Sequence, residues 1–300
     1  IRLTLLLIQI FIFIITFVLK VITESDATYR ATIVASDFLK DSLDKEALNS
    51  FIKKIENETY STSTPEALKI EKLALQHDLH LLHAKVKHLG TENNLQILKN
   101  MYDYLENKVQ IESDCAAKQI DIREDGSYDL EMADGRTLNC KYLVVAPGRA
   151  GAEWFSNQCK NLDIPLLNNQ VDIGVRVEIP AKVFEHITDA VYESKLVYRT
   201  KCHGDKIRTF CMNPYGHVVT ENVDGLMTVN GHSYSDPALR SENTNFALLV
   251  SSRFTKPFND PYQYGKRIAS LSNLLGGGIL VQRFGDLIKG NRTNEHRLSQ

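Results

Sequence analysis

The chain has 300 residues, 43% hydrophobic and 24% charged, a balance that suits a globular protein of one or two domains with a sizeable core. Its 35 Lys and Arg against 37 Asp and Glu give a formal net charge of −2, and no basic block is interleaved with aromatics, which speaks against nucleic-acid binding. The five cysteines are odd in number and show neither C-x-x-C nor zinc-type Cys/His spacing, so no metal site is expected and a reducing, cytoplasmic compartment is favoured.

Residues 3–19, from Leu3 to Leu19, carry no charge. As a helix they would span about 26 Å, and extension past Lys20 to Ile22 would approach a ~30 Å hydrocarbon core. Three readings stay open: a membrane anchor over Leu3 to Ile22, a secretory signal without an A-x-A-like site, or a foreign stretch in place of the natural N-terminal region. Only the first would make a membrane a partner.

Ser36-Asp37 can cap a helix carrying Phe38, Leu39, Leu43, Leu48, Phe51, Ile52 and Ile55. Thr64-Pro65 predicts a second helix with Pro at its first position, with Leu68, Leu73 and Leu75 as its apolar residues. An extended piece is expected over 81–88. Thr91 then caps a helix with Leu95, Leu98, Tyr102 and Leu105 on one face, leading into a strand at Val109-Gln110-Ile111, half of a βαβ unit. A β-meander follows: 118–123 pairs with 127–132, and 136–145 returns after the hairpin dipeptide Asp134-Gly135, ending in the apolar run Leu143-Val144-Val145. The chain breaks at Ala146-Pro147-Gly148-Arg149-Ala150-Gly151, and an amphipathic segment starts with Trp154 and Phe155.

From about residue 168 the pattern becomes strand-rich, at 171–179, 196–200, 206–212, 218–221, 226–229 and 246–251. An amphipathic segment over 263–275 ends at Gly276-Gly277-Gly278. The expected architecture is mixed α/β, with a hydrophobic segment at 1–22, a partial cofactor domain at 23–167, an inserted β-rich substrate domain at 168–258 and a helical return at 259–300.

Candidate chemistry lies in several places. Gly148 and Gly151 allow close approach to the backbone, and a strand, Gly-rich turn and helix start present free N–H groups to an anion or a polar cofactor edge. Arg176 sits inside an apolar strand and needs a partner or a ligand; Asp172, on the same face, is one partner and a substrate carboxylate is the other. Asn213-Pro214-Tyr215-Gly216-His217 and Asn230-Gly231-His232-Ser233-Tyr234 are polar turns closing apolar strands, expected to converge as a substrate pocket with a proton donor. Cys202 and Cys211 are more readily buried free thiols than a redox pair.

The segments HLGTENN, MYDYLENKV, DGRTLNCKYLVVAPGRAG, VDIGVRVEIP, YRTK, RTFCMNPYGHVVTEN, VNGHSY, ENTNFALLVS and LLGGGILVQRFGDL resemble, in order, the bacterial FAD-dependent dehydrogenases, or NAD(P)/FAD-dependent oxidoreductases, of the two-dinucleotide-binding-domain flavoprotein class. The similarity runs from about Asp37 to the end. It implies a partial FAD-binding Rossmann-like domain with a β-meander, plus an inserted β-rich substrate domain. Ala146, Pro147, Gly148, Arg149 and Gly151 would touch the flavin, and Ala117 would border the adenine. Arg176, Asn213, His217 and Asn230 become candidates for substrate binding, and His232 and Tyr215 for proton transfer. The cofactor would be FAD, with NAD(P)H as a possible reductant and a small molecule as substrate. No G-x-G-x-x-G occurs before residue 100 and no second flavin turn closes the chain, so the resemblance implies a fragment that binds FAD weakly or not at all. A flavin-binding accessory or sensor protein without rapid turnover, and a cofactor-free membrane-anchored remnant, are the alternatives.

Overall fold

The computed structural model describes residues 59–61, 64–83, 85–87, 90–148, 150–223, 225–255, 257 and 260–298. It is mixed α/β with antiparallel sheets. The apolar stretch 3–22, the helix expected over 38–55 and Arg149 lie outside the described residues. Among the described residues no helix is long and apolar enough to cross a membrane. The chain divides into two compact units, one of residues 1–103, 172–221 and 229–252, the other of 104–171, 222–228 and 253–300.

The first unit is built on a five-stranded sheet with the order β2-β8-β9-β12-β7. These strands are β2 (Leu79–Leu81), β7 (Val171–Pro180), β8 (Leu196–Arg199), β9 (Lys206–Asn213) and β12 (Asn243–Ser252), and the pairs β2/β8, β8/β9 and β9/β12 are antiparallel. Two further strands, β1 (Thr59–Ser61) and β3 (Lys85–Lys87), pair antiparallel with each other. Gly174 of β7 is required because β12 passes close: an added Cβ would lie 1.9 Å from the Leu248 carbonyl oxygen.

Helix α1 (Pro65–Leu75) starts as the sequence indicates, with Thr64 Oγ1 accepting the Ala67 N–H at 3.1 Å and Pro at the first position. Its packing differs from expectation. Ala67 and Ala74 are buried, and Ala67 meets Leu81 and Val191 in a small core, whereas Leu68, Leu73 and Leu75 are exposed. Small residues let the helix approach β2, so the larger leucines of the pattern fall outside the contact. Helix α2 (Thr91–Leu105) likewise forms as expected while Leu95, Leu98 and Tyr102 stay exposed. Its start is anchored by Glu92, whose Oε1 accepts the Ser235 N–H at 2.8 Å, the Asp236 N–H at 3.2 Å and the Ser235 hydroxyl. A short amphipathic helix over Ala181–Thr188, not among the expected elements, packs on β12 with Phe184 stacked on Phe246 at 5.2 Å.

The second unit holds the meander β4 (Ala117–Ile122), β5 (Tyr128–Met132) and β6 (Thr137–Cys140), antiparallel in that order. Helix α3 (Ala152–Asn161) covers the free edge of β4. Trp154 Nε1 donates to the Lys118 carbonyl at 2.8 Å, and Gln158 Oε1 accepts the Ile120 N–H at 3.0 Å. Two edge groups that no strand pairs are thereby satisfied. The helix over Ala181–Thr188 in the first unit is α4 in chain order, followed by α5 (Pro261–Gly276), α6 (Phe284–Ile288) and α7 (Glu295–Leu298) in the second. Asp260 caps α5, and Gly277 ends it at φ 66°. Asn273 of α5 holds the tip of the hairpin β10 (His217–Val223)–β11 (Leu226–His232), donating to the Met227 carbonyl and accepting the Met227 N–H, both at 2.8 Å.

Two expected strands are absent. Residues 109–111 and 143–145 have no ladder partner among the described residues, and Val144 is exposed. A strand needs at least one neighbour to pair its backbone N–H and C=O groups. Neither run has one here, so the described residues contain no βαβ unit.

The Gly174→Ala substitution should lower the stability of the first unit by about 1–3 kcal/mol, because the new methyl must push β7 away from β12. Urea unfolding followed by circular dichroism measures this. An unchanged midpoint would show that the two strands are not held at this spacing.

Candidate functional site

The richest polar constellation forms in the first unit around a bulge in β9. Asn213 pairs with Asn245 and Phe210 with Ala247, so Cys211 and Met212 together face Phe246 alone. Cys211 takes φ 48°, a left-handed conformation unusual for a side-chain-bearing residue. The bulge turns its carbonyl toward three donors: Asn213 Nδ2 at 2.7 Å and Arg176 Nη2 and Nη1 at 3.1 and 3.4 Å. Its N–H hydrogen-bonds the half-buried carboxylate of Glu193.

Both polar turns reach this place and meet. Ser233 Oγ donates to Asn213 Oδ1 at 3.2 Å and accepts from Tyr192 Oη at 3.0 Å. The rings of His217 and Tyr234 stand edge to face at 5.8 Å. Gly216 must be glycine because a Cβ would lie 2.4 Å from the His232 carbonyl oxygen. Gly231 is more constrained: its Cβ would fall 2.1 Å from Arg176 Nη2, 2.3 Å from Asn213 Nδ2 and 2.3 Å from Asn245 Oδ1. Asn230 Oδ1 accepts the Gly231 N–H at 2.8 Å, and its amide donates to Glu221 at 2.8 Å.

The expected Asp172–Arg176 pair does not form. Residues i and i+4 of a strand share a face but lie about 13 Å apart, beyond side-chain reach for this pair. Asp172 instead accepts from Arg208 at 2.7 Å and from Ser251 at 2.6 Å. Burial acts to raise its carboxyl, but these two bonds outweigh it and hold the group below the ordinary range. Arg176 makes no ion pair among the described residues. Burial pulls its guanidinium below the usual value, while the Cys211 side chain and Glu221 act the other way.

Three buried atoms in the region find no partner among the described residues: Arg176 Nε, Asn245 Nδ2 and Thr244 Oγ1. Asn245 and Thr244 are fully buried. An unmade hydrogen bond of this kind costs about 1–3 kcal/mol.

Of the two candidates for proton transfer, Tyr215 is committed elsewhere. Tyr215, at φ 51° in the turn closed by the Gly216 N–H to the Asn213 carbonyl, gives its hydroxyl to Glu185 at 2.6 Å. That bond, with some burial, raises its phenol. His217 Nε2 lies 3.0 Å from the Leu239 carbonyl. His232 is half-buried.

In the second unit the 146–151 turn is open. Ala146, Pro147 and Gly148 are exposed, and Gly148 takes φ 67° with nothing within 4 Å of where a Cβ would sit. Gly151 is packed, a Cβ there falling 2.3 Å from Pro147 Cβ. It is the N-cap of α3, which has no side-chain cap. Ala117 opens the antiparallel strand β4, not a turn after a parallel strand as expected. Its backbone therefore belongs to the meander.

Asn245 and Glu193 are not among the residues the sequence singles out, and Cys211 and Gly231 stand out there only as a free thiol and as part of a polar turn. The polar run Asn243-Thr244-Asn245 at the head of an apolar strand was a usable sign for Asn245. Nothing in the sequence marks a cysteine for positive φ. All five cysteines are free thiols, and among the described residues no three His, Cys, Asp or Glu gather as metal ligands. Neither protein-family models nor curated protein sequences give a match to this chain.

Glu193 is half-buried, 3.9 Å from Lys195, and burial raises its carboxyl above the ordinary 4.5. A folded-state value above the unfolded one makes ionisation oppose folding: the penalty is absent below about pH 4 and grows as pH rises through the folded value. Glu193→Gln, which keeps an acceptor for the Cys211 N–H, should raise the melting temperature at pH 8 and leave it unchanged at pH 4. Equal shifts at both pH values would contradict the assignment.

Proposed function

We propose that the chain is a flavin-dependent oxidoreductase acting on a small molecule, with the 146–151 turn against the flavin. The observation that carries the reading is the open glycine turn leading into a helix without a side-chain cap. Gly148 leaves its backbone approachable from solvent, Gly151 fits tightly under Pro147, and the first N–H groups of α3 face no capping side chain. These features suit a flat, polar-edged, anionic cofactor. Flavin would supply hydride or electron transfer, with NAD(P)H as reductant. The protein's own part is to hold the ring edge and ribityl chain with backbone amides. The meander β4–β5–β6 directly before the turn supports the same order of elements as the flavoproteins that the sequence resembles. Free thiols fit the cytoplasm, where they stay reduced.

A second reading, flavin binding without rapid turnover, is favoured by one observation. Tyr215, one of the two candidates for proton transfer, is engaged in a structural hydrogen bond to Glu185. Slow or absent NAD(P)H oxidation by the flavin-loaded chain would select it.

Titration with FAD followed by quenching of flavin fluorescence tests the proposal. The expected dissociation constant is about 0.1–1 mM, a binding free energy of about −4 to −5.5 kcal/mol. Gly151→Ala should abolish the signal by displacing Pro147. No quenching up to 1 mM FAD, or equal quenching by the variant, would remove the 146–151 turn from consideration.

A further inference from the structure

We propose that the second unit carries a self-association face, made of the end of α5, the link that follows and α6, and that it is covered by the same face of a second copy of this chain. The flavin reading is not needed for this.

Helix α6 is turned inside out. Its buried residue is its charged one: Asp286, 6% exposed, accepts the Thr293 hydroxyl at 2.8 Å and Arg297 Nη1 at 2.7 Å. Phe284, Leu287 and Ile288 share the opposite face at i, i+3 and i+4, and all three are exposed. A helix serving only its own core would bury the apolar face and leave the carboxylate in water. Polar bonds hold the reversed arrangement in place. The Thr293 hydroxyl also accepts the Arg283 N–H at 2.9 Å, and Gln282 Nε2 donates to the Asn291 carbonyl at 2.7 Å.

The last turns of α5 follow the same logic. Leu271, Leu274 and Leu275 make one exposed stripe, while Asn273 is spent on the tip of the β10–β11 hairpin. Leu280 joins the two helices: it is exposed, and its Cβ lies 3.3 Å from where a Gly276 Cβ would stand. The face is therefore presented on a fixed frame, which reduces the ordering cost of covering it.

Size and charge select the occupant. The seven apolar side chains, all within 271–288, are 54–79% exposed. At about 150–200 Å² for a whole residue of this size, they offer on the order of 700–900 Å². That is more than the ~300–600 Å² of the largest patch on a typical monomer, and it matches the ~800 Å² that each partner gives to a standard stable interface. Arg283 and Asp286 are the charged residues of 271–288; Asp286 is buried, and Arg283 Nη1 donates to the Arg297 carbonyl. Such a face offers little to select a charged partner and little to repel its own copy. Strongly apolar contact surface is characteristic of homodimers, and two-fold symmetry lets one face serve both sides and close the assembly at two chains.

Sedimentation equilibrium of the full chain tests the proposal. At about 50 μM, above the micromolar end of what an interface of this size gives, the mass should be twice that of one chain. Leu274→Glu with Phe284→Glu puts a charge on each helix and should weaken dimerisation by about a hundredfold or more. The circular dichroism spectrum should not change, because both positions are exposed. Leu274→Ser with Phe284→Ser removes apolar area without adding charge; it should also weaken the dimer, and it serves where the glutamates disturb folding. A parent of single-chain mass, free or bound to vesicles of phosphatidylcholine and phosphatidylglycerol, overturns the proposal. So does a dimer that both double substitutions leave intact, or a mass that climbs past two chains with concentration.

Discussion

The left-handed backbone of Cys211 is the constraint on which the first unit depends. One extra residue in β9 opposite Phe246 rotates a carbonyl out of the ladder. That carbonyl then gathers Arg176 from β7 and Asn213 from the end of its own strand, while the orphaned N–H is taken up by Glu193. A regular ladder would return both groups to strand pairing and leave Arg176 with no acceptor in the sheet. The strain, about 1–2 kcal/mol for a left-handed residue with a side chain, is offset by these bonds. The same arrangement explains why Gly231 and Gly216 must lack side chains, since the two polar turns close onto the bulge from β11 and from the end of β9.

The second unit solves a different problem. Its three-stranded meander is narrow, and β4 would expose an unpaired edge. Trp154 and Gln158 take up the Lys118 carbonyl and the Ile120 N–H, so α3 is tied to the sheet by hydrogen bonds as well as packing. The turn that delivers α3 is thus anchored at its helical end and open at Gly148. A rigid frame with one approachable stretch of backbone is what a ligand-holding loop needs.

Local signals in the sequence read well where the determinant was local. Thr64-Pro65 marked the start of α1, Asp134-Gly135 the β5–β6 hairpin, and alternation the long strands β7, β9 and β12. Signals that depend on distant partners failed. Leu143-Val144-Val145 has the composition of a buried strand, but a strand exists only where a neighbour supplies the ladder. Leu68, Leu95 and Leu98 keep helical spacing, yet burial is decided by what packs on them, and here alanines make the contact in α1. The candidate site was half visible: Arg176, Asn213 and Asn230 stood out as polar residues at the ends of, or inside, apolar strands. Their true partners did not, because a bulge and a positive φ at a cysteine leave no mark in residue type. Arg176 was matched to Asp172 by face alone, and the rise along a strand forbids that pair.

The dependence on Cys211 is tested most directly by comparing Cys211→Gly with Cys211→Val in chemical unfolding. Glycine accepts φ 48° without strain and keeps the carbonyl in place, so its stability should match the parent or exceed it by up to about 1 kcal/mol. Valine, branched at Cβ, tolerates this conformation least and should destabilise by about 2 kcal/mol. Equal losses from both substitutions, or none from either, would show that the polar cluster does not rest on the left-handed bulge.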